Sequence, residues 1–248
     1  MNADPYKDFA ERYDLSFGQF GDDDPQTVEF FRTLFKDSKV HSVLDCACGT
    51  GRHLPLFHSL GCVVFGSDIS QAMLARGRKN LAEHGLDIPL VQADFRELPR
   101  HFERRFDAVV CLAALGFMPD EEECAKALAS MFAVLRDGGL LILTAMPTDR
   151  QWKEQPRFQL VANNRDFTRL FVIDYKDCTA RYNVLDIFHS PDKYDLQEWS
   201  AELYVFLRDE QEMLLKAAGF RKVDFYASFD FKPYDKETSN GLIAVAQK

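Results

Sequence analysis

Val43 to Phe57 reads VLDCACGTGRHLPLF: a short apolar run, an aspartate, two glycines one residue apart, then an apolar segment of helical spacing. A strand that becomes a helix through glycines brings bare backbone to a ligand, because glycine adopts turns that side chains forbid. What the loop lacks restricts that ligand. A phosphate loop of the Walker type needs a lysine and a hydroxyl directly after its glycines, and this loop has neither. A dinucleotide fingerprint needs a third glycine three residues after the second, where this chain has Leu54. Asp45, just ahead of the glycines, would repel a pyrophosphate at the helix start and suits a cationic group instead.

The rest of the chain extends this strand–loop–helix unit. Pro25, placed for an opening turn, leads a first helix through Phe30, Phe31 and Phe35. Short apolar runs at 40–46, 63–68, 88–94, 107–113 and 140–146 predict five strands. Helical patterns lie between them: one over 52–60, one capped by Ser70, and one opened by an Asp120/Glu123 capping box and ending at Gly138-Gly139. Such alternation predicts an α/β fold with a doubly wound, mostly parallel sheet. Residues 148–206 break the pattern. They show no good helix and hold strand-like runs such as ARYNVLDIF, whose imperfect alternation suggests cover on both faces. An inserted antiparallel sheet is expected there. A further helix from Asp209, boxed with Glu212, and strands near 221–229 and 241–247 close the chain.

Two more acids narrow the ligand. Asp68 ends the second strand about 20 residues after the glycines, where a carboxylate accepts hydrogen bonds from both ribose hydroxyls. Asp94 ends the third strand, followed by Phe95. The ligand then carries a ribose, an aromatic base and a positive charge, and no pyrophosphate. S-adenosyl-L-methionine meets that description.

VLDCACGTGR, VVFGSDISQAML, VQADFRELP, FDAVVCLAALGFM and LRDGGLLIL, in this order over about residues 40–147, resemble the successive motifs of the class I S-adenosylmethionine-dependent methyltransferases. The resemblance implies a seven-stranded Rossmann-like sheet formed by residues 1–147 and 207–248. It also implies a role for each matching residue. Asp45 would face the methionine amino group, and Gly49 and Gly51 would let backbone approach the methionyl part. Asp68 would hold the ribose diol, Ile69 and Met73 would line the adenine, Asp94 would take its amino group and Phe95 would flank the ring. Cys111 and Leu112 would lie beside the sulfonium.

The N-terminal segment 1–24, with PYKDFAERYDLSF, and the insertion 148–206 resemble the roof of small-molecule N-methyltransferases such as the glycine/sarcosine and aminosugar enzymes. Tyr6, Tyr13 and Phe17 are candidates to close over cofactor and substrate, and Arg165, Arg169, Tyr182, His189 and Tyr204 are the polar candidates of the insertion. His53 either approaches the site or faces solvent, and Arg52 either meets a carboxylate or covers the sheet edge. No catalytic base stands out.

The net charge of −9 disfavours a nucleic-acid partner. The chain also lacks the Pro-Pro-aromatic and Pro-Cys motifs of DNA methyltransferases. Residues 112–114, Leu-Ala-Ala, stand where metal-dependent catechol enzymes carry acids. A small-molecule acceptor is expected, with an amine nitrogen favoured over oxygen, in a monomer or homodimer. The alternative is a protein that binds S-adenosylmethionine without transferring methyl. Six scattered cysteines make no disulfide framework, and Cys46 and Cys48 have no second close pair for zinc. No secretory leader and no apolar run near 18 residues stand out, so a cytoplasmic protein without a membrane partner or bound metal is expected.

Overall fold

A computed structural model describes residues 4–248. After a one-turn helix α1 (Ala10–Tyr13), α2 spans Pro25–Asp37; Asp24 Oδ2 caps it by accepting from the Thr27 amide at 3.1 Å. Then follow β1 (Ser42–Asp45), α3 (Leu54–Ser59), β2 (Val63–Asp68), α4 (Gln71–Glu83), β3 (Leu90–Gln92), β4 (Phe106–Leu112), α5 (Glu121–Val134) and β5 (Leu135–Ala145). Ser70 and Asp120 cap α4 and α5 as their sequence positions predict. A six-residue α6 (Asp149–Glu154) precedes β6 (Phe158–Asn163), β7 (Phe167–Lys176), β8 (Thr179–His189) and β9 (Tyr194–Tyr204). The chain closes with α7 (Arg208–Ala217), β10 (Lys222–Tyr226) and β11 (Leu242–Gln247).

Seven strands form one sheet in the order β10-β11-β5-β4-β1-β2-β3, in which β11 alone runs antiparallel to its neighbours. The expected seven-stranded, mostly parallel Rossmann-like sheet is therefore present. Helices cover both faces. Leu128, Met131, Leu214 and Leu215 of α5 and α7 pack on one side, and Phe30, Phe31, Phe57 and Leu74 of α2, α3 and α4 on the other. Burying such side chains stabilises by about 1.5–3 kcal/mol each, which makes these two layers the main source of stability. No helix among the described residues is long and apolar enough to cross a membrane.

The inserted sheet is the four-stranded antiparallel unit β6-β7-β8-β9. Its alternation is inverted where the sequence pattern looked imperfect. On β8, Tyr182, Val184 and Asp186 point to the buried face, while Leu185 and Ile187 lie half-exposed on the other. An inward aspartate, together with partly covered apolar residues on the other face, disturbs the pattern.

Three boundaries differ from the sequence expectation. α5 stops at Val134 and β5 starts directly at Leu135, so Gly138-Gly139 lies inside the strand rather than ending the helix. A Cβ on Gly139 would stand 3.1 Å from the Asp107 carbonyl oxygen, so glycine is needed for the two strands to pass at their bulge. α6 occurs where no helix was expected, opened by a capping box between Thr148 and Gln151. α7 starts at Arg208, with Glu210 accepting from the Leu207 amide at 3.2 Å; Asp209 pairs with Lys236 instead of boxing with Glu212.

Candidate cofactor and acceptor site

The carboxyl ends of β1, β2, β3 and β4 converge on one sheet edge, where ligands bind in open α/β sheets. Asp45 ends β1 and is only 2% exposed. Its Oδ1 accepts from the Ala47 amide at 3.3 Å, and no Lys, Arg or His among the described residues pairs with it. Burial, opposed by that one amide and reinforced by nearby Asp68, pushes its carboxyl up to about 7.

Asp68 ends β2 and serves the loop as well as the cleft. Its Oδ2 accepts from the Gly49 amide and its Oδ1 from the Ser70 amide, both at 2.8 Å. Burial raises its pKa even against these bonds. Gly49 and Gly51 take φ of +54° and +82°, and a Cβ on Gly49 would meet nothing within 4 Å. The loop therefore borders open space at Gly49. The close helix packing that a third glycine gives a dinucleotide site comes from elsewhere: a Cβ on Gly77 of α4 would stand 3.2 Å from the Thr50 carbonyl carbon. Nothing in the local pattern around the loop pointed to Gly77.

The remaining expected residues occupy varied settings. Ile69 is 53% exposed. Met73 is buried, but against Phe9, Ala10 and Val184 of the N-terminal segment and β8. Phe95 is partly buried against the core that includes Leu98. Asp94 accepts from the Arg96 amide at 2.9 Å and from Arg96 Nε at 3.0 Å, and Arg96 also pairs with Glu123. Burial alone would raise the Asp94 carboxyl, but these Arg96 bonds hold it below its ordinary value. Cys111 is fully buried in the same core as Cys46 and Cys124, so toward the cleft its strand offers the turn after Leu112, where Ala113 takes φ +52°. The Ala113 amide is fixed by Thr144 Oγ1 at 2.8 Å.

The N-terminal segment closes over this edge. Asp4 accepts from Ser70 Oγ at 2.9 Å and from the Ala72 amide at 3.0 Å, at the start of α4. Asp14 accepts from Thr50 Oγ1 at 2.7 Å and from Asn80 Nδ2 at 2.9 Å. Between these two latches sit Tyr6 and Tyr13. Burial pushes the Tyr13 hydroxyl up to about 12, with smaller contributions from Asp14, Asp68 and Asp45. Burial and then Asp68 raise Tyr6 too. The Tyr6 ring lies 6.0 Å from Phe117, just past β4, and 5.4 Å from Trp199 of β9. Phe17 remains at the surface, under the Arg52 guanidinium.

The polar candidates sort differently from expectation. Arg169 is not free for a substrate: it is buried against Asp186. Arg52 donates to the carbonyls of Gly18, Gln19 and Asp22 and so covers the N-terminal loop. His189 bonds Thr168 Oγ1 at the outer end of the insertion. His53 is drawn down to about 4 by burial, then by Arg52, and is uncharged at neutral pH. The signals missed in the sequence are Asp4, Asp14, Arg12 and Asp186, surface-type residues whose partners lie far along the chain.

These residues fit S-adenosylmethionine. A buried carboxylate with one hydrogen bond and, among the described residues, no counter-ion suits an ammonium group, and a second acid 19 residues past Gly49 remains partly exposed.

Residues 43–139 match the family described as a methyltransferase domain. The chain is 27% identical over 230 residues to the glycine/sarcosine N-methyltransferase of Aphanothece halophytica, spanning 89% of this chain and 81% of that protein. It is 32% identical over 139 residues to a dTDP-3-amino-3,4,6-trideoxy-alpha-D-glucopyranose N,N-dimethyltransferase of Streptomyces venezuelae, over 55% of this chain and 56% of that one. Among solved structures, the CcbJ methyltransferase of Streptomyces caelestis superposes with a TM-score of 0.82 at 19% identity, covering 99% and 98% of the two chains.

Proposed function

We propose that this chain is a class I S-adenosylmethionine-dependent methyltransferase that methylates the nitrogen of a small-molecule amine. The similarity to enzymes named for glycine, sarcosine and an aminosugar supports that acceptor class. The observation that carries the reading is Asp45, a buried acid beside a glycine loop that has no cation among the described residues to neutralise it.

We assign Asp45 to the cofactor's ammonium, the loop of Gly49 and Gly51 to its methionyl part and Asp68 to its ribose. Ile69, Met73, Asp94 and Phe95 are assigned to the adenine side, Cys111 contributes backbone at the strand end, and Tyr13 closes the roof. Asp94 can reach an adenine amino group only while sharing or releasing Arg96. Bound there, the cofactor would supply an activated methyl group for an amine lone pair, with the C–S electrons returning to sulfur and the product ammonium's proton going to water.

The chain's own part is alignment and exclusion of water. The Asp4 and Asp14 latches hold the aromatic roof down, and the turn at Ala113 presents rigid backbone at the end of β4. A neutral amine needs no strong base, which agrees with a cleft whose acids face the cofactor. We infer that residues 148–206 and the N-terminal segment form the acceptor lid and that residues 1–147 with 207–248 form the cofactor domain. A cytoplasmic monomer or homodimer without a nucleic-acid partner completes the reading.

The test is a methyl-transfer assay with labelled cofactor and a panel of amines and matched alcohols. Methylated amine is the expected product. S-adenosylhomocysteine binding without transfer to any acceptor would favour an inactive cofactor-binding protein.

A further inference from the structure

We propose that the acceptor is a small amine without a carboxylate, received by the aromatic faces of Tyr6, Phe117 and Trp199 rather than by an arginine. This rests on the methyltransferase reading and narrows its substrate. An amino-acid acceptor needs a cation or several free N–H groups to replace the water around its carboxylate.

Three cations near the roof, Arg169, Arg12 and Arg52, are already engaged, and Arg76 lies against Glu11 and Asp14 of the N-terminal segment. All five N–H groups of Arg169 have protein acceptors. Nε and Nη2 go to the two oxygens of Asp186 at 2.6 and 2.9 Å, Nη2 also to the Arg12 carbonyl at 2.8 Å, and Nη1 to the Tyr13 carbonyl at 3.0 Å and Ser16 Oγ at 2.8 Å. Arg12 donates to Asp186 at 2.9 Å and to the Glu198 carbonyl at 2.8 Å, and Arg52 is held by three carbonyls. Releasing any of them to a substrate would leave a buried Asp186 or an N-terminal carbonyl unpaired.

What remains between sheet edge and lid is aromatic. Tyr6 bridges Phe117 and Trp199 at 6.0 and 5.4 Å, and Trp199 Nε1 is anchored on the Pro5 carbonyl at 3.0 Å. Ring faces carry partial negative charge and attract an ammonium or methylated ammonium, which is also the charge of the product.

The experiment first titrates S-adenosylhomocysteine, then adds N,N-dimethylethanolamine or N,N-dimethylglycine to the complex and follows Trp fluorescence and calorimetric heat. The two probes share the amine and differ in the carboxylate. The alcohol-bearing amine is expected to bind at least about ten-fold more tightly, as aromatic contact without a carboxylate partner implies. Phe117→Leu is expected to weaken that probe while leaving S-adenosylhomocysteine affinity unchanged. Equal or tighter binding of dimethylglycine, or no binding of either probe to a chain that binds S-adenosylhomocysteine, overturns the proposal and leaves the methyltransferase reading standing. Failure of S-adenosylhomocysteine itself to bind ends both.

Discussion

Arg169 and Asp186 face each other as partners on β7 and β8 and form a buried two-point ion pair, Nε to Oδ1 at 2.6 Å and Nη2 to Oδ2 at 2.9 Å. Arg12 of the N-terminal segment shares the same carboxylate. One aspartate thus ties segment and inserted sheet together, and through Tyr13 and Asp14 it fixes the roof over the glycine loop.

Removing the shared partner leaves two buried guanidinium groups without a counter-ion. Asp186→Ala is expected to lower stability by about 3–5 kcal/mol, the range for breaking a buried pair from one side. Urea melts measure it. A loss below about 1 kcal/mol would mean that the triad is wetter than its geometry implies.

Asp45 makes stability and cofactor affinity depend on pH in opposite senses. Its folded pKa, about 7, lies above the unfolded value, so its contribution to stability is fully present below about 4 and is lost as pH rises through 7. Asp45→Asn should therefore stabilise the free protein at pH 8 and change little at pH 4. A cationic ligand favours the charged carboxylate, so S-adenosylhomocysteine should bind more weakly as pH falls below 7, with proton release from Asp45 visible as buffer-dependent heat. A pH-independent affinity in the parent chain would remove Asp45 from the ammonium site.

Gly77→Ala tests the packing of α4 beneath the loop. A Cβ there meets the Thr50 carbonyl at 3.2–3.3 Å, and backbone cannot swing aside as a side chain can. The expected cost is about 1–3 kcal/mol of stability with weaker S-adenosylhomocysteine binding. A variant with parental melting temperature and affinity would show that the loop yields freely.

Asp14→Ala removes the acceptor shared by Thr50 and Asn80. Hydrogen exchange should then rise across residues 4–20 and the β1–α3 loop, with a stability loss of about 1–3 kcal/mol. Unchanged exchange in the segment would place its anchoring in the Asp4 latch and the Arg12–Asp186–Arg169 cluster instead.

The glycine loop, the strand-ending acids and the alternation of strands and helices rest on local periodicity and turn chemistry, and the sheet follows that pattern. The caps at Ser70 and Asp120 were equally visible, because each acts within three residues. Asp186 was not. It looks like the polar position of an alternating strand, and only Arg12 and Arg169, 174 and 17 residues away, make its burial tolerable. The same distance hid the latches of Asp4 and Asp14. Arg169 was misjudged as a substrate group for the complementary reason: its charge was legible and its partner was not.

The central claim is that Asp45, Asp68 and the glycine loop form an S-adenosylmethionine site. Calorimetric titration of S-adenosylhomocysteine into the parent chain and into Asp68→Asn tests it most directly, with circular dichroism confirming that the variant stays folded. The account predicts saturable one-site binding in the parent and a loss of about ten-fold or more in the variant, the loss expected when a charge-assisted ribose contact is removed. No binding by the parent, or equal affinity in a folded Asp68→Asn chain, would contradict it.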